Sequence, residues 1–517
     1  MLVGQDSPEL LAGFGDAIGL ERAKRLSHRV AAGREHFGKL DLAGQHITDT
    51  EAPLPYQGAY LAYNFIDSRR LDVLIGRFHC KSPHHTPYGI ICWSYFCKPI
   101  FILPIFDSNV FIVQHYGMET SMLESWRWFG NNDPVTLSHA RQAGARGIVT
   151  ALHHIYDGRT WSVDDILTHK ATIERAGMVW SVCESIPVNS AIKLRNDDWR
   201  QYVDSWKDSL ANLGRAGIPV VCYNFMPVVD WTRTNLRYPT ETGGLALRFD
   251  MADFAAYDLF VLKRRAAEDS YQPELIKVAR QRFEAMSDEE ILTLETNIIA
   301  GLPGKEGTHT REGIRAQIAS FDDISSDDMR ANLVEFLKEI VPVAVEYGVR
   351  LGIHPDDPPF SLFGLPRVVS HSEDIEAILD AVDHEVNGIT LCAGSYGSRT
   401  GNDLTEMATR FSSRVHFAHL RNVKKEADGS FIESDHLDGD VNMVSLISAL
   451  RREEQRRMAA GRTDSNIPFR PDHGHLLIDD QNKAVNPGYS CIGRLKGLAE
   501  LRGVIAAVDQ LEYGIGT

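Results

Sequence analysis

The 517-residue sequence has no cysteine pair in C-x-x-C spacing, and its seven cysteines form an odd, scattered set. A disulfide framework and a zinc-finger pattern are thereby excluded, and a reducing, cytoplasmic setting is expected. Basic charge is also scarce: 54 Lys+Arg stand against 70 Asp+Glu, a formal charge of −16, with no long Lys/Arg block. Such a surplus repels a phosphate backbone, so nucleic acid is not an expected partner. No apolar run approaches the ~20 residues of a membrane span. The most apolar stretch, 90–116, is broken by Lys98, Pro99, Pro104 and Asp107. The opening MLVGQDSPELLAGFGDAIG lacks the basic region and apolar run of a secretory signal, so neither membrane nor export is expected. No G-x-G-x-x-G follows a strand, which leaves a dinucleotide cofactor unsupported. GLPGKEGT at 301–308 lacks the four-residue gap of a phosphate loop and reads as a turn.

With 43% hydrophobic and 24% charged residues, the proportions are those of a globular chain large enough for a sizeable core. Residues 1–117 hold 11 Lys+Arg and 11 Asp+Glu, so the entire charge surplus belongs to 118–517. The first part has one helical pattern, from Pro8 to Glu35, then a Pro-, aromatic- and His-rich tract with no steady period. No fold follows from it. Its cluster His79, Cys80, His84, His85, Cys92 and Cys97 matches no usual zinc spacing. Residues 1–117 are therefore expected to be an N-terminal extension, loosely ordered or non-native.

From Trp126 onward, short β-rich runs alternate with amphipathic helices. Strands are expected at Arg127 to Gly130, Gly147 to Leu152, Val179 to Glu184, Pro219 to Asn224, Arg350 to His354, Gly388 to Cys392, Val415 to Arg421 and Pro468 to Asp472. Helical patterns between them include Val163 to Ala176, Trp199 to Ala216, Met329 to Tyr347 and Glu373 to Ala381. Eight strand–helix repeats are the signature of an α/β fold, the (β/α)8 or TIM barrel. The interval from Trp231 to Gly348 exceeds one repeat and should carry inserted helices, RFDMADFAAYDLFVLKR being the clearest.

In such a barrel the chemistry collects where strands finish, because the loops that follow converge over the mouth. The last four strands finish with IHPDD, LCAGSYG, FAHLRN and RPDHGH, offering His354, Cys392, His419 and Asp472. Two imidazoles, a thiol and a carboxylate on successive strands are a transition-metal set, unlike the oxygen-rich shells of calcium and magnesium. Each alone is more often a packing residue; four at consecutive strand ends favour a metal. Side chains alternate faces with period 2, so His419 and Arg421 share a face that His416 does not. Asp472 and His473 cannot both face inward on a regular strand, so the chain must turn at Asp472, with Gly474 permitting the turn.

WRWFGNNDPVTL, GIVTALHHI, CYNFMPVVDWTRT, NIIAGLPG, HPDDPP, LCAGSYG, HLRN, RPDHGH and NPGYSCIGRLKGLAELRG together resemble the mannonate dehydratase family of the xylose-isomerase-like barrels. The resemblance runs from Trp126 to about Ala506; residues 1–117 depart from it, and Met118 or Met122 would make a natural start. It implies dehydration of D-mannonate to 2-keto-3-deoxy-D-gluconate in hexuronate (glucuronate) breakdown. It also implies a divalent manganese or ferrous iron ion on His354, Cys392, His419 and Asp472, and catalytic roles for His473 and Tyr489.

The chemistry suits these groups. Taking a proton from the carbon next to a carboxylate builds charge on that carboxylate, which a cation stabilises, while a base and an acid handle the C2 proton and the C3 hydroxyl. His473 and Tyr489 are expected as that pair, without an order; for Tyr489 the competing reading is a loop residue capping the last helix. Arg421 is expected to grip the substrate carboxylate, against a structural ion pair. His153 and Asn224, at the ends of the second and fourth strands, are expected on the sugar-acid hydroxyls, against hydrogen bonding within the core. Arg233 lies well beyond its strand, and Cys183, Cys222 and Cys491 read as packing residues. The expected partner is a small sugar acid and the expected assembly at most a homodimer. Rival readings are a metal-dependent sugar isomerase of the same barrel group and a catalytically silent barrel that binds metal or a sugar acid.

Overall fold

The computed structural model describes residues 121–515 apart from 197 and 300–309, together with four short strands before residue 115. The chain divides into two compact units, Met1–Gly117 and Met118–Thr517. In the first, His84–Thr86, Gly89–Cys92, Ile100–Pro104 and Phe111–Gln114 pair in sequence order as an antiparallel meander. The helix expected from Pro8 to Glu35, the side chains of the His/Cys cluster and the GLPGKEGT turn all lie outside the described residues.

The second unit is a closed barrel of eight strands: β1 (Leu123–Arg127), β2 (Gly147–Thr150), β3 (Val179–Glu184), β4 (Val220–Tyr223), β5 (Arg350–Ile353), β6 (Asn387–Cys392), β7 (Val415–His419) and β8 (Pro468–Arg470). All eight expected strands are present. The first runs Leu123–Arg127 and shares only Arg127 with the expected Arg127 to Gly130, and the others agree within two residues at either end. Neighbours are parallel throughout, and the ring closes where Pro468 and Phe469 of β8 stand opposite Leu123 and Glu124 of β1. Runs such as GIVT and VVCY are buried at every position, as strands covered on both faces must be.

Alternation divides each strand between two cores. Val149, Val182, Val220, Cys222 and Phe417 pack together in one small cluster, whereas Ile148, Cys183, Val221 and Ala418 belong to the larger cluster. The period of 2 then puts Glu184, Asn224 and His419 on the face of Val182, Cys222 and Phe417, one step nearer the mouth. The crossover helices are amphipathic and capped. The 22-residue helix Ser326–Tyr347 starts in a Ser325–Asp328 capping box and stops at Gly348, which takes a φ of 66° that favours glycine.

The insertion between β4 and β5 carries the expected helices: Met251–Ala256 and its wider continuation Tyr257–Leu262, then Pro273–Ala285, Asp288–Ile299 and Arg311–Ala319. It also carries a hairpin, Asn235–Pro239 with Leu245–Phe249, that the periodicity did not announce. A second hairpin, Asn422–Lys425 with Phe431–Ser434, follows β7. The two join through the pairs Arg248↔Ile432 and Phe249↔Phe431 into a four-stranded antiparallel side sheet. No helix among the described residues is long and apolar enough to cross a membrane.

Candidate active site and metal centre

The last four barrel strands deliver His354, Cys392, His419 and Asp472 to one point. His354 follows β5, Cys392 and His419 end β6 and β7, and Asp472 stands two residues past β8. One ligand atom from each of His354, Cys392 and His419 lies within 4.8 Å of the others. His354 Nε2 and His419 Nδ1 are 3.1 Å apart, and Asp472 Oδ2 is 3.8 Å from both Cys392 Sγ and His419 Nδ1. With metal–ligand bonds of about 2.0–2.3 Å, adjacent atoms of a coordination shell fall roughly 3–4 Å apart, so the set fits one divalent ion.

The surroundings suit ligation. His354 Nδ1 donates to the Pro355 carbonyl at 2.7 Å, which leaves Nε2 its lone pair. The Ser395 amide donates to Cys392 Sγ at 3.5 Å. His419 Nε2, on the far side of its ring, lies 3.6 Å from Glu184 Oε2 and 3.1 Å from Arg470 Nε. Burial would raise the Asp472 carboxyl, yet Arg470, His473 and Arg421 hold it well below the usual carboxylate range. His416 faces away and donates from Nε2 to the Glu385 carbonyl at 2.9 Å.

Asp472 makes the turn itself, with a φ of 64°. Aspartate tolerates this left-handed conformation better than most residues, and His473 is thereby freed from the strand alternation. Gly474 serves a different purpose from the turn expected of it: a Cβ there would fall 2.4 Å from the Gly493 carbonyl carbon. The Gly474 amide donates to the Gly488 carbonyl at 2.8 Å, which draws the loop back on itself and sets the Tyr489 ring edge-to-face with His473 at 5.1 Å. A Cβ on Gly488, at φ 80°, would lie 2.8 Å from the His473 ring. Tyr489 also meets Phe129 edge-to-face, and burial pushes its hydroxyl up to about 12 despite the opposing Arg470.

A cavity of about 370 Å³ opens above this centre, and His354, Asp472, His473, Tyr489, His153 and Asn224 all reach it. His153 Nε2 is buried there without a protein partner. Burial and Arg127 lower that imidazole to about 3, so it presents an uncharged ring. Arg421 also reaches the cavity; its Nη groups meet Asp357 Oδ2 at 2.5 Å, Ser395 Oγ at 3.1 Å and Asp472 Oδ2 at 3.1 Å, whereas its buried Nε has no protein partner. A two-pronged grip on a substrate carboxylate through both Nη groups would compete with these pairs, which also hold Asp472.

Several site residues went unread in the sequence. Glu184 ends β3 on the inward parity, so the strand-end rule would have found it. Arg470 shares the face of Asp472 and bonds both it and Glu184. Glu433 accepts from His473 Nδ1, and Arg233, fully buried, bonds Glu433 and Asp357. Glu433 had no sequence signal, because it lies on a hairpin outside the barrel repeat.

The family model described as D-mannonate dehydratase (UxuA) matches residues 122–513. Among similar proteins, mannonate dehydratase 2 of Agrobacterium fabrum is 62% identical over 75% of this chain and 98% of its own length. Mannonate dehydratase of Saccharophagus degradans is 55% identical over 76% and 99%. The crystal structure of mannonate dehydratase from Streptococcus suis serotype 2 superposes with a TM-score of 0.61 at 34% identity, over 77% of this chain and 97% of that one. A barrel with this strand-end ligand set, matched over residues 122–513 and to relatives covered almost end to end, makes the chain a member of the D-mannonate dehydratase family.

Proposed function

We propose that the chain is a hydro-lyase converting D-mannonate to 2-keto-3-deoxy-D-gluconate and water, with its divalent cation, manganese or ferrous iron, on His354, Cys392, His419 and Asp472. Family membership supports the reaction. The single observation that carries the site is the meeting of those four side chains beneath a cavity walled by His473 and Tyr489. When bound, the cation supplies positive charge against the negative charge that gathers on the substrate carboxylate as the C2 proton leaves.

The protein's own groups do the rest. His473 and Tyr489 form the acid/base pair, one receiving the C2 proton and the other protonating the departing C3 hydroxyl. His153 Nε2, an uncharged acceptor, takes a hydrogen bond from a substrate hydroxyl, and Asn224, one alternation beyond Cys222, provides both donor and acceptor. Arg470 and Arg421 keep Asp472 ionised and fixed. Cys392 requires a reduced thiol, which supports a cytoplasmic setting in hexuronate (glucuronate) breakdown; a homodimer remains the proposed assembly. Residues 1–117 are proposed to be an extension that contributes nothing to catalysis, since the family match begins at residue 122.

The test is incubation of reductively handled protein with manganese and a panel of aldonic acids and aldoses. A 2-keto-3-deoxy acid from D-mannonate is the expected product. Ketose from an aldose without loss of water would instead indicate an isomerase, and metal binding without turnover a silent barrel. Cys392→Ser is expected to lower metal content and rate together, whereas His473→Asn keeps the metal and loses turnover.

A further inference from the structure

We infer that Glu433 is the positioning residue for His473: it fixes the proton on Nδ1 and thereby makes Nε2 the nitrogen that exchanges a proton with the substrate. The inference rests on the reading of His473 as one of the acid/base pair. Glu433 itself is not among the residues reaching the cavity, so it acts through the imidazole.

His473 Nδ1 lies 2.8 Å from Glu433 Oε2 and 3.0 Å from Oε1. It also lies 3.1 Å from Arg421 Nη1, which has only protons to offer. The two neighbours make opposite demands on one nitrogen. An ionised carboxylate can only accept, so Nδ1 must be the donor toward Glu433, and Arg421 Nη1 has its own acceptor in Asp472 Oδ2 at 3.1 Å. The imidazole has just one other nitrogen, Nε2, for proton exchange.

Glu433 cannot turn away from this duty. Arg233 donates to its Oε1 from Nη2 at 2.7 Å and from Nε at 3.1 Å, and from Nη1 to Asp357 Oδ1 at 2.9 Å. Asp357 reaches on to Arg421 Nη2 at 2.5 Å, so two arginines and two carboxylates form one buried lattice around the histidine. The ring is further flanked edge-to-face by Trp231 at 5.6 Å and Tyr489 at 5.1 Å, which restrict its rotation. Whichever way the proton moves in the reaction, it is the Nε2 proton. Nδ1 keeps its own, held by the 2.8 Å contact to Glu433 Oε2.

The test is a double-mutant cycle on the manganese-loaded enzyme with D-mannonate, using Glu433→Gln, His473→Asn and the pair, with kcat, KM, metal content and thermal unfolding measured for each. Glu433→Gln is expected to lower kcat roughly 100-fold or more while KM and metal content stay within about two-fold. In the His473→Asn background the same change should cost less than about two-fold, because the residue it positions has gone. Glu433→Asp keeps the charge but retracts it by one methylene. It should lose about ten-fold in kcat, again only when His473 is present, and it carries the cycle if Glu433→Gln does not fold. An undiminished kcat in Glu433→Gln beside a His473→Asn variant reduced to a small, measurable residual rate overturns this inference alone, as does an equal loss in both backgrounds. Full turnover by His473→Asn overturns the acid/base reading and the inference with it.

Discussion

At the scale of single residues, environment decides what chemically identical side chains do. His354 and His419 meet over the metal centre, His473 meets a carboxylate, and His416 is sealed behind β7 with only the Glu385 carbonyl to donate to. Burial, with Arg457 and Arg350 nearby, lowers the His416 imidazole to about 3. An unfolded chain would take up a proton near the ordinary pKa of about 6.5, which the folded chain refuses until far lower pH. The stability contributed by neutral His416 is thus complete above about pH 6.5 and is lost as the pH falls toward 3; by pH 5 the loss is about 2 kcal/mol. Denaturant midpoints measured from pH 7.5 to pH 5 should fall less steeply for His416→Gln than for the parent. Parallel slopes would show that His416 takes no part. The sequence made this histidine legible by parity alone, since one step along a strand exchanges the mouth for the helix layer.

At the scale of elements, the barrel strands place the proposed metal ligands and the side sheet places the histidine's partner. The division follows from the chain path: Cys392 and His419 are the last residues of β6 and β7, whereas Glu433 belongs to the hairpin strand Phe431–Ser434. That strand is held by its pairing with Leu245–Phe249 and by the rings of Phe249 and Phe431, stacked 5.6 Å apart and fully buried. Phe249→Ala is expected to cost about 3–5 kcal/mol of stability through the cavity it leaves. Because the disturbance falls on the side sheet, the variant should also lose kcat with its metal content unchanged, as kinetics and metal analysis on the folded protein would reveal. Concurrent loss of metal would place the side sheet's influence on the ligands instead. These hairpins escaped sequence reading because their strands are short and only partly alternate between buried and exposed positions, and their union into one sheet escaped it because the two hairpins lie far apart in sequence, as Arg248 and Ile432 do.

At the scale of the whole molecule, an acidic chain gathers buried cations around one cavity. The chain carries a formal charge of −16, yet Arg127, Arg421 and Arg470 reach the cavity beside Glu184, Asp357 and Asp472, so charges of both signs line it. The barrel closes within the second unit, with β8 pairing to β1, and requires nothing before residue 122 for its ring of strands. Met122 is itself buried and its carbonyl accepts from Arg146, so a chain starting at Met118 leaves that contact clear of the new terminus. Such a truncated protein is expected to keep the kcat, metal content and unfolding temperature of the full chain. Loss of activity in a folded, metal-loaded truncation would assign residues 1–117 a part in function.

The order of eight strands, the inward parity of His419 against His416 and the ligand-type residues at the last four ends were all determined by the sequence, because periodicity and strand termini are local properties that a few neighbouring residues control. Tertiary structure alone decided that Arg421 meets Asp357 and Asp472, that Gly474 lies against Gly493, and that Glu433 meets His473. Those outcomes depend on which distant groups share a buried space, where every charge must find a partner, and no local pattern encodes that distribution.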